Sequence, residues 1–162
     1  MNLFYSMPLI ELITIINADI EICFNLSRSI DLHKISTAHT NEEAIDGKTS
    51  GLINLDEFVT WRAKHFGITQ RLTSKITAFH APIYFCDEQV KGAFKFFIHD
   101  HYFEAKDNYT IMKDKFLFES PFGIFGKLFN QFLLTSYLKK LLVIRNKTIK
   151  EFAETDKWKD LM

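Results

Sequence analysis

Three residues near the middle of the chain carry most of the chemistry the sequence offers: His99, His101 and Asp114. Side chains two apart on an extended strand point the same way, roughly 6–7 Å from each other. Phe97 and Phe103 continue the face that holds the two histidines, and Met112, Asp114, Phe116 and Phe118 form a second alternating set. Gly92 to Gly123 therefore reads as two long strands joined by a polar turn at Ala105 to Asn108. If these faces point inward, an apolar interior holds two imidazoles and a carboxylate. A buried carboxylate must be protonated, paired or solvated, and His99 or His101 across the hairpin are its natural partners. Such a group could relay a proton, orient a ligand or act as a buried structural pair. An HxH pair also has the spacing of two metal ligands, with His65, Asp87 or Asp114 as a third. A single HxH is a weak signal, and the sequence is read as holding no metal and no cofactor.

These residues need neighbouring strands to align them and a further element to cover them. Pro8 to Asn17 is isoleucine-rich and reads as the first strand. Asp19 is placed to cap a short helix running through Leu26, with Ile20, Cys23 and Phe24 turned inward. Ser29 is placed to cap a second, Ile30 to Thr37, with Ile30, Leu32 and Ile35 as packing residues. Glu42 to Asp46 is a short edge strand ending at Gly47. In Glu57 to Phe66, Val59, Trp61, Ala63 and His65 share one face. In Ile68 to Phe79 the inward set is Ile68, Gln70, Leu72, Ser74 and Ile76, and in Ile83 to Gln89 it is Ile83, Phe85 and Asp87. Ser120-Pro121-Phe122-Gly123 stops the last strand, because proline cannot donate to a ladder. From about Ile124 the apolar period becomes helical and runs without proline to Lys157, which predicts one long amphipathic helix of about 50 Å. Arg145 falls near its inner stripe, where a buried guanidinium would need Asp87 or Asp114 as partner, but with Lys139, Lys140, Lys147 and Lys150 it reads rather as part of a solvated face.

The order is thus strand, two short helices, about six antiparallel strands and one long helix. Such a sheet, apolar on one face, must curl around something, and the last helix is the element able to fill it. At 162 residues and 47% hydrophobic, the chain is the size of one domain with a sizeable core. Twenty basic residues balance twenty acidic ones, which argues against nucleic acid or an anionic membrane as partner. Seventeen phenylalanines supply apolar area without hydrogen-bonding demand, for a core or for an aromatic-lined pocket. Cys23 and Cys86 read as small buried hydrophobes. No signal peptide and no membrane span is read, and a cytoplasmic location is the expectation. Gly47-Lys48-Thr49-Ser50 mimics the end of a P-loop without its first glycine or its helix, so nucleotide binding there is rejected.

Several stretches sharpen this outline: Ile16-Asn17-Ala18, Gly47 to Ile53, Val59 to Gly67, Leu72 to Ile76, Phe85 to Glu88, Gly92 to Lys95, His99 to Phe103, Ser120 to Gly123 and Leu142 to Asn146. Together they resemble the START-related helix-grip superfamily, also called SRPBCC, and within it a bacterial ligand-binding subfamily sometimes labelled "cell division protein". The resemblance covers nearly the whole chain. It implies an α+β helix-grip fold, a curved antiparallel sheet of six to seven strands wrapped around a long C-terminal helix. The superfamily includes lipid and sterol carriers, hormone receptors and polyketide aromatases or cyclases, and fold does not choose among them.

Three functions stay open. The first is binding or transport of a hydrophobic or amphipathic small molecule, or a lipid, between sheet and helix. Its expected polar contacts are His65, Gln70, Asp87, His99, His101 and Asp114. Its expected apolar wall is Trp61, Leu72, Phe97, Phe103, Met112, Phe116 and Phe129. The second is a polyketide cyclase-like or aromatase-like enzyme in which His99, His101 or Asp114 acts as acid or base. The third is an accessory module that engages a protein through outer-face Ile98 and Tyr102, beside Lys95 and Asp100.

Overall fold

A computed structural model describes residues 7–120 and 133–162. Seven strands form one antiparallel sheet: β1 (Leu9–Ile16), β2 (Glu43–Gly47), β3 (Phe58–His65), β4 (Ile68–His80), β5 (Tyr84–Lys91), β6 (Phe96–Ala105) and β7 (Thr110–Glu119). Their order is β1-β7-β6-β5-β4-β3-β2, so the first and second strands are the two edges. Between them in sequence lie α1 (Ile20–Ser27) and α2 (Ile30–Ser36), and the chain closes with α3 (Thr135–Ala153). This is the expected helix-grip architecture.

Local chemistry explains each start. The Asp19 side chain accepts from the Glu21 amide, and the Ser29 side chain accepts from the Leu32 amide, so each short helix has its cap. β6 and β7 alternate almost perfectly between buried and outward residues. Register shifts at Ala44/Asp46, Thr73/Ser74 and Ile76/Ala78 bend the far half of the sheet, since extra residues on one strand tighten its twist. Gly92 has φ +150°, and a Cβ there would lie 2.7 Å from the Leu72 side chain and 2.8 Å from its Cα. Glycine is what lets the start of the hairpin cross so close to β4.

α3 lies over the concave face between two apolar clusters. Leu134, Tyr137, Leu138 and Leu142 meet Ile10, Phe97, Phe116 and Phe118. Ile149 and Ala153 pack with Ile16, Phe24, Leu26 and Leu32. Among the described residues no helix is long and apolar enough to cross a membrane.

Some expectations change. α3 ends at Ala153 rather than running to Lys157, because Thr155 caps a separate 3-10 turn at Asp156–Asp160. The helical pattern read from Ile124 to Phe132, including Phe129, lies outside the described residues. Ile68 and Ile83 are exposed, not inward: each stands at or just before the first residue of its strand, past the edge of the covered face. Ile35 is exposed because α2 is one short layer and presents only Ile30 and Leu32 to the core. Cys23 and Cys86 are free and buried.

Candidate functional site

Between sheet and α3 lies a cavity of about 270 Å³. Trp61, Leu72, Phe97 and Phe116 from the sheet and Leu138 and Leu142 from α3 give it an apolar wall. Polar groups gather at two ends.

The inner end is built on strand register. Asp87 of β5 pairs with His99 of β6, and His101 of β6 pairs with Asp114 of β7. Four side chains on three adjacent strands therefore share one face. His99 Nε2 lies 3.1 Å from Asp114 Oδ1 and its Nδ1 lies 3.8 Å from Asp87 Oδ1. His101 Nε2 lies 3.0 Å from Asp87 Oδ1. His101 Nδ1 is also 3.0 Å from Asp114 Oδ1, but off the line that a ring N–H needs, so no hydrogen bond forms there. The imidazoles sit 3.8 Å apart, His101 is stacked on Phe85 and His99 meets the Phe116 ring edge-on.

Asp114 is wholly buried, so its charge needs more than the histidines. α3 supplies it. Asn146 donates to Asp114 Oδ2 at 2.7 Å and to Thr14 Oγ1 at 3.2 Å. Arg145 Nη1 lies 3.5 Å from Asp114 Oδ1, and its Nη2 donates to the Ser27 carbonyl at 2.8 Å. Arg145 is thus buried, not part of the solvated face. The lysines around it do point outward, but Arg145 falls on the stripe facing β7 and finds there the carboxylate that a buried guanidinium requires.

The electrostatics follow. Burial alone would raise the Asp114 carboxyl, but His101 and His99 outweigh it and hold it well below the usual carboxylate range. Asp87 is lowered in the same contest, with burial opposed by its His101 hydrogen bond and by His99. Burial, and then the neighbouring His101, push His99 down to about 4. His99 is therefore neutral at neutral pH while both carboxyls are ionised.

The outer end is closer to solvent. His65 Nδ1 bonds the Tyr137 hydroxyl at 2.8 Å, His33 Nε2 lies 3.3 Å from Glu42 Oε2, and the His33 ring packs 4.3 Å from the Trp61 ring. Burial opposes ionisation of Glu42, yet His33 and hydrogen bonds from His33 and Thr37 keep its carboxyl low; burial lowers His65. Tyr137 and Arg145, both lining the cavity, are eight residues apart on α3, about 12 Å along its axis.

Of the residues expected from the sequence, Trp61, His65, Gln70, Leu72, Asp87, Phe97, His99, His101 and Phe116 line the cavity. Asp114 stands behind the histidines rather than at the surface of the cavity. Phe103 packs against Phe24 and Phe85, and buried Met112 lies 3.3 Å from the Ser27 hydroxyl, so neither reaches it. His33, Glu42 and Tyr137 were not anticipated. Tyr137 had a signal, since it sits three residues after Leu134 and one before Leu138 on the apolar stripe. His33 and Glu42 had none, because a short helix and the residue before an edge strand meet only through the tertiary fold.

Fold and site together define a helix-grip scaffold around an apolar cavity with polar ends. No family model and no curated protein matches the sequence. Solved structures do match in fold. TTHA0849 from Thermus thermophilus superposes with a TM-score of 0.68 at 16% identity, covering 88% of this chain and 97% of that one. KanY protein gives a TM-score of 0.70 at 11% identity, covering 93% and 99%. Ginseng major latex-like protein 151 from Panax ginseng gives 0.64 at 14%, covering 92% and 99%. At these identities the likeness is one of fold alone.

Proposed function

We propose that this protein binds a hydrophobic or amphipathic small molecule between sheet and α3, as one domain of the helix-grip superfamily. The observation that carries the reading is the apolar-walled cavity of about 270 Å³ with Asp87, His99, His101 and Arg145 at its inner end. Pockets for small ligands run from about 300 to 1,000 Å³, with a few polar groups fixing orientation. The cavity, at about 270 Å³, falls just below that range, which favours a compact ring compound over a long-chain lipid. The ligand's oxygen-bearing end would meet the inner group, and its apolar body would lie against Trp61, Leu72, Phe97 and Phe116. Native mass spectrometry of protein purified without denaturation tests this directly. A retained small molecule, lost from a Leu72→Trp variant that fills the space, is the expected result. A protein that retains nothing, and takes up no hydrophobic fluorophore, would overturn the reading.

A second reading is a cyclase-like enzyme, favoured by one observation. His99 is neutral near neutral pH, lines the cavity and has its Nε2 fixed by Asp114. Its Nδ1 side could then take a proton from a bound carbonyl compound. Turnover of a polyketide-like β-carbonyl substrate, lost in His99→Gln, would separate enzyme from carrier.

A further inference from the structure

We propose that Asp87, His99 and His101 bind a divalent first-row transition metal ion, with an open coordination position facing the cavity. One potential ligand atom from each of these residues lies within 4.8 Å of the other two. Two donors on one ion, each at about 2.0–2.2 Å, stand roughly 3.0–3.5 Å apart. The Asp87 Oδ1 to His101 Nε2 distance is 3.0 Å and the Asp87 Oδ1 to His99 Nδ1 distance is 3.8 Å, so Asp87 stands at or near donor–donor spacing from both rings.

Metal-bound histidine is held in place by a carboxylate or carbonyl on its other ring nitrogen. Asp114 occupies that position for His99, with Oδ1 3.1 Å from its Nε2, and it stands 3.0 Å from His101 Nδ1 without the alignment of a hydrogen bond. The opposite nitrogens, His99 Nδ1 and His101 Nε2, both turn toward Asp87. Asn146 and Arg145 then hold Asp114 from the helix side. The inner end is thus layered, with two imidazoles and one carboxylate in front and a shared carboxylate behind.

His101 has a carboxylate oxygen at 3.0 Å from each ring nitrogen, and its Nδ1 is a buried polar atom without a hydrogen bond. Two nitrogens and one carboxylate suit zinc, iron, cobalt or nickel better than magnesium or calcium, which prefer oxygen. Three protein ligands leave at least one position for water or a ligand oxygen. A lone HxH could not argue this from sequence; the placement of Asp87 and Asp114 does.

The inference goes beyond small-molecule binding and stands without it. Metal uptake is read on protein carrying no organic ligand, so failure of either reading leaves the other to its own test. The protein would be stripped with a chelator, checked for its fold by circular dichroism, and titrated with Zn2+ by calorimetry and with Co2+ by visible absorption. Expected are a single equivalent, cobalt d–d bands of a low-coordinate site, and broadening of the His99 and His101 ring signals by Co2+ in the wild-type protein. His99→Gln and Asp87→Asn should each weaken binding at least about 100-fold, and Asp114→Asn about 10- to 100-fold through the histidines. His80→Ala, at a surface histidine, should leave it unchanged. Absence of stoichiometric binding by folded wild-type protein would overturn the proposal, as would binding that survives a His99→Gln/His101→Gln double variant. The ring-signal measurement needs no variant, so misfolding of a substituted protein cannot shield the idea.

Discussion

The two ends of the cavity use the same residue types and differ in how they are held. At the inner end Asp87, His99, His101 and Asp114 are aligned by strand register and locked by Arg145 and Asn146, with Asp114 wholly buried. At the outer end His33, Glu42, His65 and Tyr137 come from a short helix, a loop, a strand end and α3, and the His33–Glu42 and His65–Tyr137 pairs are not joined in one network. Substitutions at the inner end should therefore cost fold stability, and those at the outer end should mainly change ligand behaviour.

The largest effect is expected from Asp114→Ala. It leaves Arg145 as an uncompensated buried charge and strips His99 and Asn146 of their acceptor, for a loss of about 3–5 kcal/mol in denaturant unfolding. A loss under about 1 kcal/mol would show that the inner network is not structural.

Acid should come next. In chelator-treated protein, His99 is held down to about 4 among Asp87, Asp114, His101 and Arg145, against an ordinary value near 6.5. The unfolded chain then takes a proton that the folded chain refuses. The contribution is fully present above about pH 6.5, is lost as pH falls toward 4, and amounts to up to about 3 kcal/mol. The lowered carboxyls of Asp114 and Asp87 add further loss below the ordinary carboxylate range. Thermal melts across that window check the sign, and a flat profile would refute it.

Much of the inner end was legible in the sequence. Strict alternation set His99, His101 and Asp114 on inward faces, and the short strand before them put Asp87 with Phe85. The outer end was not, since nothing in Ile30 to Glu42 records that His33 will pack on Trp61, which lies two strands further along the chain. Arg145 failed for a different reason. The sequence offered Asp87 or Asp114 as partners for a buried Arg145, but a basic residue in a run of lysines looks solvated, and helical period alone cannot say which cation faces the sheet.

Smaller effects sharpen the contrast. Glu42→Gln keeps the shape of a mostly buried side chain and removes the charge facing His33, at about 1 kcal/mol. Tyr137→Phe removes the hydroxyl on His65 and should change stability by less than about 1 kcal/mol. Its readout is the dissociation rate of a bound fluorophore, which should rise several-fold. An unchanged rate would separate the outer end from ligand exchange.

The grip of Arg145 and Asn146 also bears on how a guest could come and go. Two consecutive residues tie one stretch of α3 to α1 through the Ser27 carbonyl, to β1 through Thr14 and to β7 through Asp114. Lifting the helix there would break a buried network at once. Eight residues earlier, Tyr137 meets β3 through a phenol–imidazole bond to His65 near solvent. Traffic should therefore pass the Tyr137 end, with the Arg145 turn as its fixed pivot. Amide hydrogen exchange should find that pivot among the last parts of the helix to open.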